Sequence, residues 1–377
     1  MKKLENKYIN NDKAELAALK AVWGTAEYSG TSRFVKFYEK DLEEYFKTPY
    51  ISAVSNGTDA IEVAIRALGL SIGDEVMLPA YAPVMSVLPL IHLGMQPVFI
   101  DSEPQTFNID LTDVSSKLTS KTRAIMVVPM WGYPIGMDTL RTFCSENSLF
   151  LLEDASHCHG SKLDNQFVGM LSDVGVLSTQ ERKLIATGEG GIVITSSEGL
   201  YQKVSSIRDF GKVQPNDPNY PDNVGEYGYY DGSNFRITGT SAAIGSVQVN
   251  KLEARIAART ANARSIISEI ADSEHYKEIR NVDNTRNNYY SLVLQLKGID
   301  PVKLGGFLQE RNIISDTYRF KIGPLYAMPI FSMYASRCAN TEKLLSSILT
   351  IPTHEGLVAD DIQHITQSLK DFLNRPR

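Results

Sequence analysis

Cysteine is nearly absent. The 377 residues hold three, Cys144, Cys158 and Cys338, an odd number, widely spaced and without a Cys-x-x-Cys pair. That pattern argues against a disulfide framework and against a zinc site. Positive charge is also short: 38 Lys and Arg stand against 44 Asp and Glu, a net charge of −6. A nucleic-acid binder would need a clustered basic face, and none is visible. No apolar run is long enough to cross a bilayer. The opening Met1-Lys2-Lys3-Leu4-Glu5-Asn6-Lys7 turns polar where a secretory signal needs its apolar segment. Internal repeats and low-complexity tracts are missing too. What remains is an ordinary composition, 43% hydrophobic and 22% charged. The expectation is a cytoplasmic, soluble chain, long enough for two domains, with no nucleic acid and no membrane as partner.

From about residue 50 to 200 short apolar runs alternate with helical patterns. The expected strands are Ile51–Ser55, Glu75–Pro79, Gln96–Asp101, Arg123–Val128, Leu149–Glu153, Val174–Ser178 and Gly191–Thr195. Between them, Thr58–Leu68 places Ile61, Ala64, Ile65 and Leu68 on one helical face, and Val84–Leu93 and Met137–Glu146 read similarly. Strands alternating with helices imply an α/β fold with a mostly parallel sheet covered on both faces, whose ligands gather at the carboxyl ends of strands. Lys212–Gly232, rich in Pro, Asp, Asn, Tyr and Gly, reads as a long loop, either functional or a surface excursion. A helical stretch from Ala242 to about Glu269 reads as a hinge leading into a smaller α+β domain. That domain ends in a helix with Ile362, Ile365, Leu369 and Phe372 on one face. The expected boundaries are 1–250 for the large domain and 251–377 for the hinge helix and small domain.

The chemistry centres on Lys183. It follows the apolar strand and serine of Gly175-Val176-Leu177-Ser178 and precedes Thr187-Gly188-Glu189-Gly190-Gly191. About thirty residues upstream, Asp154 closes the apolar run Leu149-Phe150-Leu151-Leu152-Glu153. An amine, a buried carboxylate and a phosphate-sized turn are the parts that pyridoxal phosphate requires: imine formation, a partner for the pyridinium nitrogen, and amides for the phosphate. Each part also has a plainer reading. Asn56-Gly57-Thr58-Asp59 joins a strand to a helix, where first-turn amides attract an anion, but Thr58 or Asn56 could simply be the N-cap. Asp154 could serve a structural salt bridge or a cap. His157 could stack on a ring or be a satisfied loop histidine. Arg182 and desolvation would both lower the amine's pKa, unless Arg182 points outward. Asn234, after the long loop, could donate to a phosphate or be a turn asparagine. Arg208, Arg236 and Lys251 could meet acidic groups of a substrate.

Taken together these strings resemble the DegT/DnrJ/EryC1/StrS aminotransferases, which act mainly on nucleotide-linked sugars. The likeness runs through Asn56-Gly57-Thr58-Asp59-Ala60, Gly73-Asp74-Glu75-Val76, Pro97-Val98-Phe99-Ile100-Asp101 and Thr106-Phe107-Asn108-Ile109-Asp110. It continues through Glu153-Asp154-Ala155-Ser156-His157, Ser178 to Lys183, Thr187 to Gly191, and Asn234-Phe235-Arg236 with Ala243-Ile244-Gly245. The resemblance implies a fold type I enzyme, like aspartate aminotransferase, with pyridoxal 5'-phosphate and shared active sites in a homodimer. Lys183 would carry the internal aldimine and move protons. Asp154 would pair with the pyridine nitrogen, and Gly57, Thr58, the amide of Asp59, and Ser178 would hold the phosphate. Asn234 would reach the partner's phosphate. A ping-pong reaction would take the amino group from glutamate or glutamine and pass it to a keto sugar. Relatives acting as dehydratases have histidine where this chain has Lys183, which favours amino transfer here. Three departures stand out: Pro83 where an aromatic usually stacks on the cofactor, leaving Tyr81 or His157 to cover the ring; Pro129 where a histidine is common; and Gln180-Glu181-Arg182 before the lysine. The competing activities are amino transfer to a cyclitol or a non-nucleotide keto sugar, or dehydration with the same cofactor. A non-catalytic pyridoxal-binding regulator would leave Lys183 and Asp154 without a purpose. A nicotinamide enzyme would need a Gly-x-Gly-x-x-Gly turn, which Ser55-Asn56-Gly57-Thr58 is not.

Overall fold

In a computed structural model of the chain, residues 2–6, 12–213 and 225–375 are described here. Most of the expected long loop, residues 214–224, lies outside them. Two helices, α1 (Lys13–Thr25) and α2 (Arg33–Phe46), precede the first strand. The main sheet takes β1 (Ile51–Val54), β2 (Glu75–Pro79), β3 (Gln96–Ile100), β4 (Thr122–Val127) and β5 (Phe150–Asp154). After a two-residue hairpin, β6 (Lys162–Leu163) and β7 (Gln166–Phe167), it is completed by β8 (Val174–Ser178) and β9 (Gly191–Thr195). The order of its seven strands is β1-β9-β8-β5-β4-β2-β3. The pairs β3-β2-β4-β5-β8 are parallel, and β9 runs antiparallel to β8 and β1.

These strands are mostly apolar because helices cover the sheet. Against it pack α3 (Gly57–Leu68), α4 (Val84–His92), α5 (Leu111–Lys117), α6 (Asp138–Glu146) and α7 (Glu198–Arg208). The seven expected strands and the three expected helices between them are present, displaced by a residue at most at either end. The long hinge helix is two helices instead, α8 (Gly239–Asn250) and α9 (Leu252–Glu269), which meet at Lys251. Lys251 is held there by Asp12 at 2.9 Å and Glu15 at 2.6 Å, an anchorage that ties α1 to the junction.

Beyond α9 a three-stranded antiparallel sheet forms from β10 (Tyr276–Glu278), β12 (Leu292–Leu296) and β13 (Ile348–Ile351), while β11 (Thr285–Arg286) pairs with β6. Around it lie α10 (Pro301–Glu310), α11 (Asp316–Arg319), α12 (Ala339–Leu345) and α13 (Ala359–Leu373). Ile365 and Leu369 of α13 are buried in a hydrophobic cluster of their own, with Ile266, Leu292, Leu304 and Phe307, distinct from the cluster of the large sheet. Leu4 belongs to this second cluster and bridges to Ile313.

Candidate active site

The site forms at the carboxyl ends of β5 and β8. In β5 successive side chains point to opposite faces of the sheet. Glu153 accepts from the amides of Gly169 at 2.9 Å and Leu171 at 2.8 Å and from Ser172 Oγ at 3.0 Å, fixing the loop before β8. Asp154, 5% exposed, faces the other way and accepts from Ser86 Oγ of α4 at 2.6 Å and from the Ser156 amide at 3.2 Å. The two acids differ in purpose because they differ in parity.

Ser156 continues inward, its hydroxyl accepting from the Ser178 amide at 3.0 Å. Ser178 meets the start of α3 so closely that a Cβ on Gly57 would lie 2.5 Å from the Ser178 Cβ. Gly57 is therefore there for proximity, and its φ is not in the left-handed region. Asn56 is the cap of α3: its Oδ1 accepts from the Asp59 amide at 2.8 Å, and its Nδ2 donates to the Asp59 carboxylate at 2.8 Å. The Asp59 amide, expected to face a phosphate, is thus taken by Asn56. The amides of Gly57 and Thr58 occupy the first turn, which has no intrahelical acceptors for them. They flank Ser178 at the positive end of a helix.

Lys183 sits on the loop joining β8 to the antiparallel β9. Thr179 N–H donates to Gly190 O at 2.8 Å, Glu181 N–H to Gly188 O at 2.9 Å and Lys183 N–H to Gln180 O at 2.8 Å, which makes the loop a hairpin. Gly190 and Gly191 permit its closure, since a Cβ would meet Thr179 Oγ1 at 2.2 Å in the first case and Asn56 O at 2.2 Å in the second. The lysine is only half-buried by surface area, but its amine lies inward. Desolvation there pulls the pKa down to about 8, against the attraction of Asp154 and of Asp316. Its Nζ lies 5.4 Å from the centre of the Tyr290 ring.

That ring stacks on His157 at 4.3 Å and 12°. His157 Nδ1 accepts from the Trp131 amide at 3.3 Å, which puts the proton on Nε2. Burial, then the charge of Lys183, hold the imidazole neutral, well below its ordinary range. Tyr81 does not reach the site. It is buried, its hydroxyl donates to Phe107 O and its ring packs on Phe107. Pro83 caps α4 and places Ser86 on Asp154.

Asn234 stands apart. It is exposed, accepts from Arg236 Nε at 3.0 Å and pairs in a bridge with Asp209. Arg208, Arg236 and Lys251, considered as substrate contacts, already hold protein carboxylates: Glu39, Asp209, and Asp12 with Glu15. Four site residues escaped the sequence reading: Ser86, Ser156, Tyr290 and Asp316. Ser156 was within reach, two residues past Asp154, but Tyr290 and Asp316 lie more than a hundred residues beyond Lys183 and carry no local pattern.

Two cavities open elsewhere, about 1020 Å³ beside Val302, Tyr318, Ile322 and Leu349, and about 570 Å³ beside Glu103, Asn108, Tyr133 and Arg280. Neither includes Lys183 or Asp154. Among the described residues no cluster of His, Cys, Asp and Glu could hold a metal, and no helix is long and apolar enough to cross a membrane.

Residues 10–370 match the DegT/DnrJ/EryC1/StrS aminotransferase family. The chain belongs to that family. A GDP-perosamine synthase of Vibrio cholerae is 27% identical over 379 residues, covering 98% of this chain and 96% of that protein. A putative L-glutamine:3-amino-2,3-dideoxy-scyllo-inosose aminotransferase of Streptomyces kanamyceticus is 29% identical over 285 residues, 74% of this chain and 66% of that one. The solved structure of an aminotransferase from Psychrobacter cryohalolentis superposes with a TM-score of 0.90 over 97% of this chain and 98% of its own, at 24% identity. At that identity the likeness speaks for the fold, and the fold is the type I aminotransferase architecture expected from the sequence. As a member of this family the protein is an aminotransferase.

Proposed function

We propose that this aminotransferase uses pyridoxal 5'-phosphate to move an amino group from glutamate or glutamine to a keto group of a nucleotide-linked sugar. The observation that carries the reading is one site holding a lysine of lowered pKa, a buried carboxylate whose charge reaches it, and a helix start pressed against a serine. Those residues suit the cofactor in shape and charge. Asp154 would hold the proton on the ring nitrogen, and Ser86 and the Ser156 amide fix its orientation. Gly57, Thr58 and Ser178 would hold the phosphate, where a side chain on Gly57 would leave no room. When bound, the cofactor supplies a carbonyl for the amine and an electron-poor ring that stabilises developing negative charge.

Lys183, with a pKa of about 8, is partly neutral near neutral pH and can accept and return a proton at Nζ. His157 is neutral and adds no charge that would compete with the pyridinium. The full site would be shared in a cytoplasmic homodimer. Asn234, exposed beside Phe210, Tyr229 and Tyr230, would reach the partner's phosphate.

A second acceptor class is favoured by the Streptomyces kanamyceticus relative, whose name specifies glutamine and a cyclitol. The deciding experiment is an absorbance spectrum of the protein with pyridoxal phosphate, before and after glutamate and, separately, glutamine. A near-visible band that collapses with one of them supports the reading and names the donor. A band that neither changes moves the activity toward dehydration, and no band at all rejects Lys183 as the attachment point.

A further inference from the structure

Beside Lys183 stands a second cation that the reaction above leaves unused. Arg182 occupies the turn of the lysine hairpin, its amide donating to Gln180 Oε1 at 3.0 Å. Its guanidinium is half-buried and lies 5.6 Å from the centre of the Phe320 ring. The same ring carries the Arg319 guanidinium at 5.4 Å. Two cations flank one aromatic side chain, and they differ in one respect. Arg319 is neutralised by Glu5 at 2.6 Å. Among the described residues no carboxylate lies within ion-pair distance of Arg182, and its guanidinium has no hydrogen-bond acceptor. Asp316 feels its charge, but the Oδ2 of that acid is engaged by Asn6 at 2.8 Å.

A planar guanidinium held against an aromatic face, one residue from the amine, is preset for a planar anion. We propose that Arg182 is a specificity-determining residue that binds a carboxylate of the substrate in the Lys183 cleft. The fork of Arg182 takes both oxygens, while Phe320 limits its motion and Asp316 turns away a second anion. The inference rests on the aminotransferase reading for where substrate sits. Two molecules could bring the carboxylate: the amino-acid donor, through its α-carboxylate, or an acidic sugar as acceptor.

Calorimetry on the pyridoxal phosphate-loaded protein tests it without turnover, with glutarate as probe. Arg182→Gln should weaken glutarate about tenfold to a hundredfold, the range of a charge-assisted pair. Arg182→Lys should recover only part, because it restores the charge without the fork. Glutamine, whose single carboxylate is the α group, and D-glucuronate then separate the sources: the one that loses affinity in Arg182→Gln identifies which reactant brings the anion. Should Arg182→Gln fail to fold, Phe320→Ala reads the same affinity from the other side of the contact, and Phe320 is exposed enough to be replaced. Unchanged glutarate affinity in Arg182→Gln, or in Phe320→Ala where that variant must serve, overturns the proposal and leaves Arg182 as a distant counter-charge for Asp316. Loss of the near-visible band change with both donors in the wild type would instead reject the aminotransferase reading, while the heats still report on Arg182.

Discussion

The Lys183 ammonium is attracted by Asp154 and Asp316, yet burial outweighs both and leaves it with a pKa of about 8 rather than 10.5. The unfolded chain therefore binds the proton more tightly than the folded one. Its destabilising effect is complete below pH 8 and disappears as pH rises through 10.5. Lys183→Met should consequently raise the melting temperature of the cofactor-free protein at pH 7, by an amount worth a few kcal/mol, and lose that advantage near pH 11. The same variant should lose the near-visible band and all transamination. Asp154→Asn removes an attraction that raises the amine's pKa, so the pH at which Lys183 becomes reactive toward an amine-specific label should fall below that of the wild type. Peptide mapping by mass spectrometry reads this directly. The variant should still bind the cofactor while turnover drops by about a hundredfold or more, the scale of a lost electrostatic partner at a reacting centre.

At the level of elements, the start of α3 and the end of β8 are in contact through Gly57, and a methyl there has nowhere to go. Gly57→Ala should cost about 1–3 kcal/mol of stability and weaken pyridoxal phosphate binding more than that figure suggests, because the displaced helix start is part of the cradle. Denaturant unfolding and cofactor titration separate the two effects. A second joint lies under α9, where Arg255 and Arg259, both buried, share Glu355 at 3.3 and 2.9 Å. Arg259 also donates to Tyr290 O at 3.2 Å, so this joint supports the ring beside Lys183. Glu355→Gln would leave two guanidinium groups buried without their counter-charge and should lose about 3–5 kcal/mol, measured by the same unfolding. Much of this arrangement was legible in the chain. The strands of the sheet were readable because helices cover it and make them mostly apolar, and Asn56-Gly57, Asp154 and Lys183 stood at or just past their ends. The break at Lys251 was hidden, since a continuous helical pattern does not reveal that Asp12 and Glu15 claim one of its lysines. That the Asp59 amide donates to Asn56 was not legible, because a cap and an anion site look alike in sequence. Tyr290 and Asp316 were out of reach for a plainer reason: only the fold brings them to Lys183.

Across the whole molecule, the buried His157, His159 and His354 are held in their neutral form. Burial lowers His159 to about 3 and His354 to about 4, each below its ordinary 6.5. Stability from these groups is complete above pH 6.5 and is lost as the pH falls, because the unfolded chain takes up protons that the folded one refuses. The raised carboxyl groups of Glu153 and Asp316 act in the opposite sense. A single replacement isolates the histidine share: between pH 6.5 and 5, His159→Gln should show a shallower fall in unfolding free energy than the wild type, whatever its absolute stability. The contact between Asn6 and Asp316 spans 310 positions. Leu4 likewise pairs with Ile313, and Asn6 also donates to Ser291. During synthesis Asn6 leaves the ribosome 310 positions ahead of Asp316, and the seven strands of the large sheet emerge in between. The lysine and its aspartate can therefore be in place while the second acid of the cleft is still unmade, so that during synthesis compactness should be reached well before the charge balance around the amine is complete.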